Sequence, residues 1–184
     1  MRFELAFSFF SLSNRKKPDS GTEITPERLT EMMYPRIDLR EGFKYPEGRQ
    51  MRINGIVSQE LLASPDLFDN EDKPLFIILK QGSTTDLTAG CYAGLESFLC
   101  DEDGVESMEI AIYNFDKRSG PFSDKGDSGA LVFDYRGRMV AMLHSGKSKS
   151  GLTSPHVTYC TPVWWLIPRI KEKYPHADFN CIRW

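Results

Sequence analysis

Short apolar segments follow one another at close spacing from Leu75 to Thr161, and this pattern limits the possible folds more than any other feature of the sequence. Turn-forming residues separate the segments, and short strands with turns between them are typical of antiparallel barrels and sandwiches. The sequence therefore predicts a mainly β, antiparallel barrel. The predicted strands are LFIILK (Leu75–Lys80), TTDLTAGCYA (Thr84–Ala93), ESFLC (Glu96–Cys100), MEIAIY (Met108–Tyr113), ALVFD (Ala130–Asp134), MVAMLH (Met139–His144) and HVTYCT (His156–Thr161).

A helix is predicted after the last strand, at PVWWLIPRIKEKY (Pro162–Tyr174). Proline suits the first position of a helix, and the apolar residues that follow recur at helical spacing and form one stripe. We therefore expect the barrel to be followed by a C-terminal helix. The stripe consists of Val163, Leu166, Ile167 and Ile170.

The N-terminal part of the sequence lacks the regular strand pattern and contains one short predicted helix. ITPERLTEMMYP (Ile24–Pro35) predicts a short helix with Thr25 as its cap, and Leu29, Met32 and Met33 fall on one face. The next segment, to Lys73, is rich in turn formers and predicts extended chain that wraps around something else. The predicted organisation is a poorly defined tail at 1–20, a connector-like segment with a short helix at 21–74, the barrel with its helix at 75–176, and a tail at 177–184.

Composition limits the function classes. With 23 basic and 26 acidic residues the formal charge is −3, and no basic run is long enough for a nucleic-acid footprint. The apolar run near Met1 is interrupted by Glu4 and is too short to span a bilayer, so no membrane association is expected. The four cysteines form no C-x-x-C pair, and we predict neither metal nor cofactor. The absence of an Asn-x-Ser/Thr acceptor mildly favours the cytosol.

A candidate nucleophile lies in FSDKGDSGALVFD, where Gly126-Asp127-Ser128-Gly129 directly precedes a predicted strand. The strand distinguishes this motif from the nucleophile elbow of α/β-hydrolases, which a helix follows. One interpretation is a reactive serine held in a tight turn. The alternative is a polar turn that does no more than begin a strand.

A second motif is KQGSTTDLTAG, Lys80 to Gly90, and the serine motif follows about forty residues later. Together with VAMLHSG, one more strand and the terminal helix, these motifs resemble the C-terminal half of chymotrypsin-like (trypsin-like) serine proteases. The chain is similar in particular to trypsin-like peptidase domains predicted in fungal proteins. The resemblance covers Leu75 to Tyr174 and implies the second of the two β-barrels that pack together in that family.

In that family the first strand pair of the second barrel often carries the pattern G-x-T-T-G-x-T-x-G. Asp86 replaces the middle glycine of the pattern. If that position needs a positive φ, Asp is the next most tolerable kind of residue there. The positions that match are Gly82, Thr84, Thr85, Thr88 and Gly90.

The resemblance implies a role for each residue of the serine motif. Ser128 would be the nucleophile, and the N–H groups of Gly126 and Ser128 would form the oxyanion hole. Asp127 would be buried behind the loop and would bind a cation or backbone donors. The expected partner is a peptide or protein substrate.

His144, Ser145 and Gly146 would line the primary specificity pocket. In glutamyl endopeptidases, which are relatives of this family, a histidine in an H-x-G context binds the acidic side chain of the substrate. The alternative is that His144 is a hydrogen-bonded and inert residue at a strand end.

The catalytic base is the missing part. In the family the catalytic His and Asp come from the first barrel, ahead of the serine, whereas His144, His156 and His176 all follow Ser128. We therefore expect a serine endopeptidase-like domain that is truncated and lacks the His/Asp barrel. The alternative is a non-catalytic protease-like module that binds a peptide or protein. Either way, the outer barrel face that lacks its partner should be apolar, and should self-associate or be covered by residues 1–73.

Overall fold

The computed structural model describes residues 9–11, 24–34, 45, 50–66, 68–69, 71–100, 104–117, 119–147 and 156–179. Six strands close into an antiparallel barrel in the order β3-β4-β5-β8-β7-β6, and a helix follows the last of them. The predicted fold class is therefore confirmed. The helices are α1 (Pro26–Met33), α2 (Gln59–Ala63) and α3 (Val163–Lys173). The strands are β1 (Phe9–Ser11), β2 (Gln50–Arg52), β3 (Phe76–Gln81), β4 (Leu87–Cys100), β5 (Glu106–Asn114), β6 (Leu131–Asp134), β7 (Met139–Lys147) and β8 (Val157–Pro162).

Strand β4 corrects one prediction, because the two strands expected at 84–93 and 96–100 form one continuous strand. Its pairing with β5 shifts register between Tyr92 and Glu96, and Gly94 in between has a φ of +74°. Glycine tolerates this conformation at no steric cost, so it bends the strand at an irregularity instead of ending it. In the sequence the same glycine looks like a turn.

The barrel is apolar on both sides of β3. Phe76 and Ile78 pack inside with residues of β5 to β8, whereas Ile77 and Leu79 pack outside against α1 and α3. Successive side chains of a strand point to opposite faces, so a strand that is buried on both faces needs a continuous apolar run. LFIILK supplies that run, and its last residue, Lys80, falls on the inner side.

Helix α1 covers part of this apolar outer face. The Thr25 side chain accepts a hydrogen bond from the Arg28 N–H at 3.1 Å, and the buried residues of the helix are Leu29, Met32 and Met33, as predicted. The segment after β2 is tied to the barrel by backbone hydrogen bonds, among them Val57 N–H to the Met139 carbonyl at 2.8 Å. In the regions of α1 and β2, the described residues of the N-terminal part therefore pack on the barrel.

Two elements of this N-terminal part, β2 and α2, lie in the stretch for which the sequence predicted only irregular chain. At three and five residues they are too short to show a hydrophobic period. Helix α3 agrees with its prediction, and Val163 and Ile167 are its buried residues. Among the described helices, none has the length and apolar character needed to cross a membrane.

Candidate active site

The serine motif lies in a turn directly before β6, at the edge of β7. The Gly129 N–H donates to the Leu143 carbonyl at 2.8 Å, and the Leu143 N–H donates to the Ala130 carbonyl at 2.9 Å. These two bonds fix the turn against β7. Gly126 has a φ of +104°, and a Cβ there would also collide with the Thr84 hydroxyl. Only glycine fits this position without strain.

Asp127 anchors the turn from behind. Its side chain is buried, and one carboxylate oxygen accepts hydrogen bonds from the Thr84 N–H at 2.7 Å and the Thr85 N–H at 3.3 Å. The other oxygen accepts from the Thr85 hydroxyl at 2.6 Å and the Asp124 N–H at 3.1 Å. That second oxygen also lies 3.2 Å from Lys80 Nζ, in an ion pair whose two side chains are fully buried. The carboxylate is therefore well satisfied.

Lys80 is the cation behind Asp127, and sequence reasoning did not identify it. It ends the inner row of β3 that begins with Phe76 and Ile78, and Nζ donates to the Thr85 hydroxyl at 2.5 Å. The Thr85 hydroxyl thus accepts from the ammonium and donates to the carboxylate. The signal was available in the sequence, because strand alternation places Lys80 on the same face as Phe76 and Ile78.

Burial, hydrogen bonds and the ion pair together determine how Asp127 and Lys80 titrate. Burial raises the pKa of Asp127, but hydrogen bonds from Thr85, Thr84 and Asp124 and the charge of Lys80 outweigh it and lower that pKa to about 2. Burial lowers the pKa of Lys80, and the neighbouring carboxylate opposes this effect. At neutral pH the Asp127 side chain is therefore a carboxylate.

The threonine motif forms the cradle of the serine loop. The Ser83 hydroxyl donates to the Gly126 carbonyl at 2.7 Å, the Thr84 hydroxyl to the Lys125 carbonyl at 3.0 Å, and the Thr88 hydroxyl to the Phe122 carbonyl at 2.7 Å. These hydroxyls satisfy backbone carbonyls of a loop that no strand pairs with at those points. The motif therefore supplies the contacts that shape the loop.

Asp86 and Gly82 shape the turn that contains the threonine motif. Asp86 has a φ of +53°, the left-handed conformation that a glycine would adopt with less strain at this place in the pattern. Its carbonyl accepts a hydrogen bond from the Gly82 N–H at 2.9 Å, which closes the turn. A Cβ on Gly82 would collide with the Asp127 carboxylate, so the absence of a side chain there makes room for the anchor.

Ser128 is exposed to solvent. Hydrogen-bonding groups of the backbone surround its hydroxyl, but none of the contacts in the described part of the chain is with a general base. The Ser128 hydroxyl donates to the His144 carbonyl at 3.3 Å. Among the described residues, no imidazole, amine or carboxylate is hydrogen-bonded to that hydroxyl. In the same part of the chain the N–H groups of Gly126 and Ser128 donate no hydrogen bond, so both are available to an incoming oxygen.

His144, Ser145 and Gly146 lie together on β7 beside the loop. The His144 ring is exposed, with Nδ1 at 3.2 Å from the Ser145 hydroxyl. A Cβ on Gly146 would lie 3.4 Å from the Ser123 hydroxyl and 3.8 Å from Cε1 of the His156 ring. The structure therefore brings His156 to the far end of this strip, whereas His176 is exposed in the turn after α3.

A buried pair of hydroxyl groups lies next to this strip and was not predicted. The Ser123 and Thr158 hydroxyls are 2.6 Å apart, on the loop before the serine motif and on β8 respectively. Serine and threonine are common in both contexts, so the sequence holds no signal that would have paired them. The pair makes the area beneath Gly146 polar.

Comparisons with known proteins found a similarity of fold to solved structures. No protein-family model matches the sequence, and no curated protein matches it significantly. A chymotrypsin from Cellulomonas bogoriensis is 16% identical, with a TM-score of 0.44, over 72% of this chain and 57% of that one. A glutamic acid specific serine protease, described as using a histidine triad in substrate binding, is also 16% identical, with a TM-score of 0.45 over 72% and 56%. The chain thus spans little more than half the length of either protein.

Both are serine proteases, and the chain is similar to them in the fold of its barrel. The likeness is one of fold at low identity. The chemistry of the site is therefore inferred from the residues of this chain alone.

Proposed function

We propose that this chain provides the serine-bearing half of a serine endopeptidase, with Ser128 as the nucleophile. The observation that carries the proposal is the anchoring of Asp127, which receives four hydrogen bonds and a buried ion pair directly behind Ser128. A polar turn that only begins a strand needs no such anchor. A rigid loop that presents an exposed hydroxyl is what acyl transfer requires.

The N–H groups of Gly126 and Ser128 are the proposed oxyanion hole. Peptide hydrolysis through a serine develops negative charge on the carbonyl oxygen of the substrate, and donors fixed in advance stabilise that charge. Both N–H groups lack an acceptor in the described part of the chain, which supports this role. The anchored Asp127 between them limits how far either group can turn away.

The general base comes from outside the described surroundings of Ser128. A serine hydroxyl is a poor nucleophile until a positioned base takes its proton, and the His144 carbonyl that it contacts cannot do so. Loss of triad members typically lowers turnover by about 10⁴- to 10⁶-fold. We therefore propose that a His-bearing partner or a further segment completes the site.

Recognition of the substrate side chain is assigned to β7. Substrate would lie along His144, Ser145 and Gly146, because this strip begins at the serine loop and its edge residues are exposed or half-exposed. The buried Ser123 and Thr158 hydroxyls favour a polar side chain at its far end. The proposed activity is cleavage of peptide bonds after a polar residue.

Chemical rescue tests the proposal. The isolated chain should react with a fluorophosphonate probe very slowly, and added imidazole, as an external base, should accelerate phosphonylation at Ser128. Peptide mass spectrometry would compare labelling of Ser128 with labelling of the exposed Ser64. The Ser128→Ala variant should lose the imidazole-dependent signal, and Gly126→Ala should reduce it because the loop changes shape.

Two results would contradict the proposal. If imidazole labels Ser128 no faster than Ser64, the loop does not activate its serine. The chain would then be a non-catalytic protease-like module that binds a peptide or protein. Rapid labelling without imidazole that disappears in Ser128→Ala would instead mean that the chain holds its own base, with His144, His156 and Lys125 as the first candidates.

A further inference from the structure

The hairpin of β4 and β5 extends beyond the barrel. Strand β3 pairs with β4 only as far as Tyr92, and β8 pairs with β5 only from Ile110 onward. Beyond the barrel the two strands continue as a ladder of their own, in which Glu96 pairs with Ile110 and the last described pair is Cys100 with Glu106. The outer part of this ladder consists of residues 95–100 and 106–109. We call these residues the distal hairpin.

One face of the distal hairpin is exposed to solvent. Phe98 and Met108 are directly opposite each other in the register, and they are 60% and 53% exposed. Their neighbours on the same face, Glu96, Cys100 and Glu106, are exposed as well. On the other face the side chains are half-buried or buried: Ser97, Leu99, Ser107 and Glu109. The outer face of the hairpin is therefore exposed, and its inner face is half-buried or buried.

The outer face has a definite charge pattern. On the face that carries the Phe98–Met108 pair, Glu96 is the next residue of β4 toward the barrel, and Glu106, opposite Cys100, is the next residue of β5 toward the tip. The apolar pair is therefore flanked by a carboxylate on each side. From Leu87 to Asn114 the sequence contains no Lys or Arg, so no nearby residue of the hairpin neutralises them.

We propose that this outer face binds a basic, extended segment of another protein. An apolar side chain of that segment seats on the Phe98–Met108 pair, and Lys or Arg residues on either side of it reach Glu96 and Glu106. Apolar contact supplies affinity and the carboxylates select the partner, because an acidic segment would meet like charge.

The charge pattern also argues against the same hairpin of a second copy as the occupant. Face-to-face contact of two such hairpins would bring Glu96 and Glu106 of both copies together without a cation between them. The proposal does not depend on Ser128, and its outcome is separate from that of the chemical rescue.

Fluorescence anisotropy of the full chain with short labelled peptides tests this assignment. The probe is a peptide with one leucine flanked at alternate positions by lysines, and the matched control peptide carries glutamates in place of the lysines. We expect the lysine peptide to bind and the glutamate peptide not to bind. Binding should weaken by about tenfold or more in Phe98→Ser/Met108→Ser, because burial of two large apolar side chains is lost.

Paired variants separate the two contributions. Glu96→Gln/Glu106→Gln should also weaken binding and should flatten its dependence on salt. Trp165→Ser and Glu172→Gln, which alter an exposed apolar residue and an exposed acid on α3, should bind as the wild type does. Thermal unfolding checks each variant, and the glutamate pair remains informative if the apolar pair proves unstable.

Three outcomes would overturn the proposal. The first is that the lysine peptide does not bind. The second is equal binding of the glutamate peptide, or unchanged binding by both double variants. The third is concentration-dependent self-association in sedimentation equilibrium that Phe98→Ser/Met108→Ser abolishes, because the face would then belong to a second copy of the chain.

Discussion

Lys80 holds the serine loop from inside the barrel. Its ammonium is fully buried, and it is held by the Asp127 carboxylate, the Thr85 hydroxyl and the Asp86 carbonyl. A buried charge without its partner is far less stable than the pair, so removal of either member is costly. The Lys80–Asp127 pair therefore ties the serine loop to the end of β3.

Lys80→Met should strongly destabilise the chain. The variant keeps the apolar stem but leaves the Asp127 carboxylate buried without its cation, and such losses cost about 3–5 kcal/mol. Lys73→Met is the matched control, because Lys73 pairs with Glu71 on the surface, where ion pairs contribute about 0–1 kcal/mol. Urea unfolding would measure both, and equal midpoints for the two variants would contradict the assigned role.

Sequence reasoning predicted the kind of partner that Asp127 would bind but not its identity. A cation or backbone donors were expected, and the structure supplies both, from Lys80 and from Thr84, Thr85 and Asp124. Asp124 is a near neighbour, but Thr84 and Thr85 are some forty residues away in the sequence, and only the closed barrel brings β3 next to the loop. Such a contact cannot be read from local patterns.

The turn between β3 and β4 is the element that positions the loop. Its hydroxyl groups hold the loop carbonyls, and Asp86 bends the chain at a φ of +53°. Non-glycine residues in the left-handed region are strained by about 1–2 kcal/mol. The turn keeps this strain because the surrounding contacts fix its shape.

Asp86→Ala should be less stable than Asp86→Gly. Both variants remove the carboxylate, so their difference isolates the backbone conformation. Alanine is strained at positive φ and glycine is not, which predicts a gap of about 1 kcal/mol in favour of glycine. Chemical denaturation of the two variants side by side would measure it. Equal stability, or a more stable alanine variant, would mean that the turn relaxes to a different conformation.

Element by element, the barrel was more predictable than the segment that packs on it. The strands from β3 to β8 show long apolar runs or alternation, and these signals do not depend on tertiary contacts. By contrast, β2 and α2 are short and owe their conformation to contacts with the barrel and with β1. The continuity of β4 was missed because a glycine in a strand irregularity looks the same as a glycine in a turn.

At the scale of the whole molecule, the described N-terminal part is built into the core. Leu29 and Met33 of α1 are fully buried in the same apolar cluster as Ile77 and Leu79 of β3. The cluster also includes Val163 and Ile167 of α3. An apolar outer face of the barrel is therefore covered by the N-terminal helix α1 and by the helix α3 that follows the last strand.

Leu29→Ala should loosen this cover and destabilise the fold. Truncation of a buried leucine costs about 2–5 kcal/mol, because the cavity that remains closes only partly. The variant should also bind a hydrophobic dye more strongly than the wild type does. Glu31→Ala, on the exposed side of the same helix, should change neither property noticeably. A Leu29→Ala chain that matches Glu31→Ala in both measurements would show that α1 does not stabilise the barrel.

The anchoring of Asp127 by residues some forty positions earlier has a consequence for folding. The shape of the serine loop is not encoded in its own tetrapeptide, since Thr84, Thr85 and Lys80 reach Asp127 only when β3 and β6 have paired. Loop geometry and barrel closure thus belong to one cooperative transition. The imidazole-dependent labelling proposed for Ser128 should therefore disappear at the same denaturant concentration at which the barrel unfolds.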